Sequence, residues 1–274
     1  MTNAIVWMLP KLGQTWAASD SRITIDKKSI VTDKAPKILP LNIRVRRDTM
    51  GHKLETEGSS IVGFCYAGAV TPALMTYTTA DFFLSNLIQG PGSTNLPTGE
   101  KIAELVRILS GDYIRSATLA YGSPPICEFA LFGRTIDVEG GACHWAYHIH
   151  PGGTVNGEFQ QAVTKVDIAA GDILILGQAP EELLADIKDL QARRRLDWDG
   201  VEPRIALRRR LLKQNHGAVG GGLQGAILDE NGFERFSSLY DEDGRLGQNW
   251  AGVNYQRDAS TAIGMEIRVT GLLG

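Results

Sequence analysis

Apolar and polar positions along the chain group into blocks of one period and then another. AIVWML and TWAASDSRIT are strand-like runs joined by PKLGQ, whose Pro and Gly suit a hairpin turn. SIVTDKAPKILPL predicts a further short strand pair, and the polar, Gly-containing residues 42–59 predict a protruding hairpin or loop. SSIVGFCYAG is continuously apolar, the pattern of a strand buried on both faces. The period then changes. Ala73, Tyr77, Ala80, Leu84 and Leu87 recur at steps of three and four and predict a helix over about residues 71–89. Thr98 is placed to cap a second helix with the stripe Ile102, Leu105, Val106, Leu109 and Tyr113. ICEFALFGRT, GACHWAYHIH and DILILGQ predict strands. Pro180, with Glu181 and Glu182 behind it, opens a third helix carrying Leu183, Ile187 and Leu190. A fourth, basic helix covers about residues 203–214, and LQGAILDENG is a late strand. Irregular hairpins with little helix are expected beyond it.

Strands, two helices, strands, two helices and strands in separate blocks argue against alternating βαβ units. They predict an α+β fold, a four-layer αββα sandwich in which two antiparallel sheets lie between two helical layers. Each sheet would then be buried on both faces, which explains why IVGFCYAG and DILILG do not alternate with polar residues. One domain over residues 1–274 is expected, with the insertion at 42–59 and a C-terminal extension from about residue 229.

Composition narrows the function classes. A net charge of -3 gives no reason to expect nucleic acid or an acidic membrane as partner. No apolar run approaches the roughly 18 residues of a membrane span. MTNAIVWMLPKLG lacks the basic lead and long apolar core of a signal peptide. Cys65, Cys127 and Cys143 are an odd number, widely spaced in apolar contexts, and predict reduced, buried thiols in a cytoplasmic protein. The basic clusters ARRRL and ALRRRLLK read as solvated helix faces or subunit contacts.

Several chemical motifs dissolve on inspection. GGGLQG at 220–225 matches GxGxxG in letters, but it follows a helix and opens a strand, so it predicts a tight crossing and no dinucleotide site. His144, His148 and His150 share strand parity as metal ligands could, but nearby residues of that parity do not complete a set. They predict exposed or partner-facing histidines on an outer strand. No metal or cofactor is expected. The amino end is chemically richer. Thr2 follows Met1 and is small enough to permit Met removal. A terminal threonine supplies a hydroxyl nucleophile and, in its own α-amine with a pKa near ~8, the base. A nearby Lys would tune both groups, and an Asp would hold that Lys.

ASDSRIT, then DKAPKILPL, then IVGFCYAG leading into two helices, resembles proteasome β-type subunits of the N-terminal-nucleophile hydrolase superfamily. The ASDSR wording is similar to stand-alone bacterial relatives, including the Anbu type. The resemblance runs over about residues 2–228 and implies the same αββα sandwich. It implies Thr2 as nucleophile, Lys37 tuning acidity, Asp20 orienting Lys37, and the Gly68 N–H facing the oxyanion. Tyr66 and Val70, beside Gly68, would line a side-chain pocket or serve as ordinary core. Ser21 and Arg22 would hydrogen-bond strand ends. Matching Ile5-Val6 to the family's first strand instead puts Asn3 at the nucleophile's place. Where the family places supporting Ser and Asp residues, this chain offers Gln178 and Pro180, and Asn215 or His216. The implied substrate is a polypeptide or small amide, and self-association into a ring or spiral is implied, with room for an unfoldase partner. The alternatives are a catalytically silent subunit of such an assembly and a small-amide hydrolase of the same superfamily.

Overall fold

The computed structural model describes residues 2–25, 29–49, 53–89, 96–136, 141–155, 157–193, 200–213, 217–240, 246–250, 253–254 and 271–272. In chain order the strands are β1 (Asn3–Leu9), β2 (Gln14–Ser19), β3 (Ile23–Ile25), β4 (Ser29–Thr32), β5 (Ile38–Thr49), β6 (Lys53–Gly68) and β7 (Leu87–Ile88). They continue with β8 (Cys127–Ile136), β9 (Ala142–Val155), β10 (Glu158–Val166), β11 (Leu174–Gly177), β12 (Gln224–Asp229) and β13 (Gly232–Tyr240). Two helices, α1 (Val70–Leu84) and α2 (Gly99–Tyr121), fall between β6 and β8, and α3 (Pro180–Arg193) and α4 (Glu202–Lys213) between β11 and β12. The architecture is mixed α+β.

One sheet runs in the order β11-β1-β2-β12-β13 and continues into short C-terminal strands; the other runs β10-β9-β8-β6-β5-β7. Strand β1 shows how the sequence builds this. Its side chains point alternately to opposite faces. Ala4 and Val6 enter an apolar cluster with Ile38, Cys65, Ala67, Ala130 and Phe132 of the other sheet. Ile5, Trp7 and Leu9 pack instead with Leu183, Ile187 and Leu190 of α3 and Ala206 and Leu207 of α4. A third cluster joins Phe64, Tyr66, Phe129 and Ile149 to Ile102 and Val106 of α2 and Ala73 and Ala80 of α1. Both faces of β1 are therefore dry, which removes the usual polar alternation. Each large side chain so buried contributes about 1.5–3 kcal/mol. Trp7 also satisfies its indole N–H on the Gly200 carbonyl at 2.8 Å.

The predicted 42–59 segment pairs with itself, as the outer parts of β5 and β6, from Asn42↔Ile61 to Thr49↔Lys53. Helix α1 stops at Leu84, five residues before the predicted end. Asn86 turns the chain out through its backbone N–H on the Phe83 carbonyl at 3.1 Å and its side-chain amide on the Phe82 carbonyl at 2.7 Å. Leu87 and Ile88 then pair in parallel with β5. Thr98 caps α2, accepting from the Lys101 N–H at 3.4 Å. Strand β10 has no clear apolar signature because it is a sheet edge with polar residues on both faces. Among the described residues no helix is long and apolar enough to cross a membrane.

Two readings need correction. Strand β9 lies between β8 and β10 and is not an outer strand. His144 on it is buried, its Nδ1 sharing a 2.7 Å hydrogen bond with Thr15 Oγ1 of the facing sheet, while His148 meets Glu128 at 3.2 Å. Among the described residues no group of three or more His, Cys, Asp or Glu could hold a metal ion. Cys65 and Cys127 are buried, but Cys143, the second residue of β9, is exposed.

Candidate functional site

Thr2 precedes β1 by one residue and has the parity of Ala4 and Val6, so it belongs to the face turned toward the second sheet. There Lys37, just before β5, brings its Nζ to 2.5 Å from Thr2 Oγ1. The same Nζ donates to Asp20 Oδ1 at 3.0 Å and to the Arg22 carbonyl at 2.5 Å. An ammonium has three donors, and all three are used. Asp20 follows β2 and is equally saturated. Its Oδ1 also accepts the Asn3 N–H at 3.0 Å, and its Oδ2 accepts the N–H groups of Arg22 at 3.2 Å and Gly220 at 3.1 Å. Lys37 and Asp20 are both fully buried. Asn3, the other candidate for the nucleophile's place, points to the opposite face.

Burial acts on this pair in opposite directions. Desolvation raises the Asp20 carboxyl above its ordinary value, opposed by the Lys37 charge and the Gly220 and Asn3 hydrogen bonds. Desolvation lowers the Lys37 ammonium, opposed by Asp20. The site thus holds a positive charge whose proton is easier to share than that of a surface lysine, 2.5 Å from a hydroxyl.

Gly68 ends β6 with φ +99, and an added Cβ would lie 2.2 Å from the Ile126 carbonyl oxygen, so only glycine fits. Tyr66 packs in the cluster under α1 and α2 and donates its hydroxyl to the Pro36 carbonyl at 3.1 Å, which ties down the residue before Lys37. Val70, the first residue of α1, packs against the same cluster and keeps partial exposure. Across the site, Gly177 ends β11 opposite Asn3 with φ +94, and a Cβ there would lie 1.6 Å from the Thr2 carbonyl oxygen. The following Gln178 donates its N–H to that oxygen at 3.1 Å. The main chain of Thr2 is thereby gripped from the loop that opens α3. Pro180 is the first residue of that helix, and Asn215 and His216 lie outside the described residues.

Ser21 and Arg22 reach the Asp33 segment. Ser21 Oγ donates to the Asp33 carbonyl and accepts the Gly222 N–H at 2.7 Å, while Arg22 Nε pairs with Asp33 Oδ1 at 2.6 Å. The GGGLQG turn packs around both: a Cβ on Gly220 would strike the Arg22 guanidinium at 2.4 Å. Two residues that hold the site's backbone escape the motif reading. Gln224, inside that same turn sequence, is buried. Its amide donates to the carbonyls of Asp20 at 3.2 Å and Ala35 at 2.6 Å and accepts the Lys37 N–H at 3.0 Å, clamping the two charged residues' backbones together. Arg210 is the second. ALRRRLLK looks solvated, but Arg210 lies three and four residues after Leu207 and Ala206 on the buried stripe of α4, a spacing that was readable.

No family model matches the chain, and no curated protein matches it either. Solved structures do. The helical assembly of the Anbu complex from Pseudomonas aeruginosa superposes with a TM-score of 0.51 at 19% identity, covering 96% of this chain and 90% of that one. Anbu, described as an ancestral beta-subunit, from Yersinia bercovieri superposes with a TM-score of 0.50 at 18% identity, covering 85% and 86%. The resemblance carried by ASDSR, DKAPKILPL and IVGFCYAG therefore holds at the level of the fold: the chain folds as the Anbu structures do.

Proposed function

We propose that the chain is a proteasome-like threonine hydrolase, arranged as a four-layer αββα sandwich, that cleaves peptide or other amide bonds once the bond before Thr2 is cut. The observation that carries this reading is the 2.5 Å approach of Lys37 Nζ to Thr2 Oγ1, with Asp20 fixing the lysine from behind. The freed α-amine of Thr2 takes the hydroxyl proton as Oγ1 bonds to the substrate carbonyl carbon. The Lys37 ammonium stabilises negative charge as it develops on Oγ1. The Gly68 N–H receives the carbonyl oxygen as it becomes an oxyanion. The intermediate collapses, the leaving amine takes the proton from the α-ammonium, and an ester on Thr2 remains. Water, deprotonated by the same amine, releases the acid and restores the hydroxyl. Tyr66 acts here through Pro36 on the placement of Lys37, and Val70 offers the partly open apolar wall beside Gly68.

Self-association is part of the proposal. Helix α1 is apolar on both sides: Ala73, Ala80 and Leu84 face the core while Leu74, Met75, Phe82 and Phe83 are exposed, a patch suited to burial against another copy. A helical assembly is described for Anbu of Pseudomonas aeruginosa. A polypeptide substrate, and an unfoldase to feed it, fit an enclosed site of this type.

The test is covalent. Intact mass should show the chain beginning at Thr2 and gaining one equivalent of a β-lactone or epoxyketone probe, and Thr2→Ala should abolish that gain while leaving the fold intact. A chain starting at Thr2 that remains unmodified and hydrolyses no peptide or small amide would overturn the hydrolase reading and favour a silent subunit.

A further inference from the structure

Buried on the far side of β1 from Lys37 is a second cation, Arg210, which the reaction above does not use. Its side chain is 5% exposed. Nη1 shares its two hydrogens among three acceptors: the Gln178 carbonyl at 3.0 Å, the Ala179 carbonyl at 3.2 Å and Asn3 Oδ1 at 3.3 Å. Nη2 meets Glu182 of α3 at 3.1 Å. The Asn3 side chain completes the circle, its Nδ2 donating to the Gln178 carbonyl at 2.8 Å and the Leu176 carbonyl at 3.3 Å. The loop so held is unusual. Gly177 has φ +94, and Ala179 has φ +47, a left-handed conformation that alanine adopts only when its surroundings impose it. Arg210 and Asn3 draw the Gln178 and Ala179 carbonyls toward α4. That turns the Gln178 N–H toward the Thr2 carbonyl, which it reaches at 3.1 Å.

We propose that Arg210 is a positioning residue for Thr2. It locks the strained 177–179 loop, which holds the Thr2 carbonyl and with it the direction of Oγ1 toward Lys37 and the bound carbonyl. The role needs a planar fork, one arm on the Gln178 and Ala179 carbonyls while the other is held by Glu182. A lysine ammonium has the charge but not the fork, and cannot span two carbonyls, an amide oxygen and a carboxylate at once. The proposal rests on Thr2 being the nucleophile.

The test uses the full-length chain freed to Thr2 and a β-lactone probe, comparing wild type with Arg210→Ala and Arg210→Lys. The maximal rate of Thr2 modification should fall by about 10²-fold, the scale of an ångström-sized misplacement at a reacting centre. The probe's half-saturating concentration and the pH midpoint of the reaction should stay unchanged. Free guanidinium should restore part of the rate to Arg210→Ala and none to Arg210→Lys. If Arg210→Ala does not fold, Arg210→Lys decides: a wild-type rate in a folded Arg210→Lys overturns the proposal. So does a loss confined to half-saturation, or a shifted pH midpoint. A wild-type chain that never reacts at Thr2 sinks the hydrolase reading and this one together, whereas a reactive wild type with unaffected variants sinks this one alone.

Discussion

Two buried cations bracket the first residues of β1 from opposite faces of one sheet, and they are neutralised differently. Lys37 sits against a carboxylate that is itself fully buried, so charge answers charge and little of either reaches water. Arg210 is met chiefly by neutral oxygens, and the carboxylate it meets among the described residues, Glu182, is 66% exposed. Burial lowers the lysine's proton affinity, whereas a guanidinium keeps its proton in any protein setting. The face that would do proton chemistry thus carries the titratable cation, and the face that only holds backbone carries the fixed one. Neither could take the other's place: lysine lacks the fork, and arginine lacks a proton that can be shared.

The sharpest way to break this contrast is to unbalance the buried pair. Asp20→Asn leaves the Lys37 charge without its partner and should cost about 3–5 kcal/mol in denaturant unfolding. Adding Lys37→Met to it should recover much of that loss, because the desolvation cost leaves with the charge. The pH response has a definite sign. The folded-state value of Lys37 lies below 10.5, so between the two values the unfolded chain binds the extra proton. Stability from this group is full above about 10.5 and is lost as pH falls through the folded value. Wild type should therefore gain stability relative to Lys37→Met as pH rises toward 10.5. A flat difference would show that Lys37 is not desolvated.

A smaller effect tests the loop between the two faces. Gly177→Ala forces a left-handed φ on a residue with a Cβ, worth about 1–2 kcal/mol, and drives that Cβ into the Thr2 carbonyl. Both the melting temperature and the Thr2 modification rate should fall together. A stable variant with normal reactivity would mean that the loop does not grip Thr2.

The smallest effect belongs to the solvent side of Arg210. Glu182→Gln removes the exposed partner and leaves the three neutral acceptors, so it should change stability by less than about 1 kcal/mol, measured in the same denaturant series. A loss as large as that of Asp20→Asn would make the two cations alike after all.

Much of this was legible in the sequence, and the exceptions have physical causes. Continuous apolar runs such as IVGFCYAG marked strands covered on both sides, and the stripes of α1 to α3 fell at helical spacing. The charged part of the site was legible through the resemblance: ASDSRIT and DKAPKILPL, similar to proteasome β-type subunits, point to Asp20 and Lys37, and the structure pairs the two at 3.0 Å. Gln224 was not, because an amide that clamps three backbone groups leaves no spacing signature. Arg210 was hidden by its neighbours: Arg208 and Arg209 make the run look like a solvated face, and only its phase against Ala206 and Leu207 separates it. His144 was misplaced because a histidine bonded across two sheets has the same strand parity as one facing solvent.

The alternation of β1 makes the start of the chain an odd-or-even matter. Successive side chains on this strand go to opposite sides of a sheet that is dry on both, so a first residue either meets Lys37 or is turned toward Arg210. Trimming that stopped one position late would turn an amide toward Arg210 and leave Lys37 facing no hydroxyl, so an error of one residue changes the face and not merely the distance.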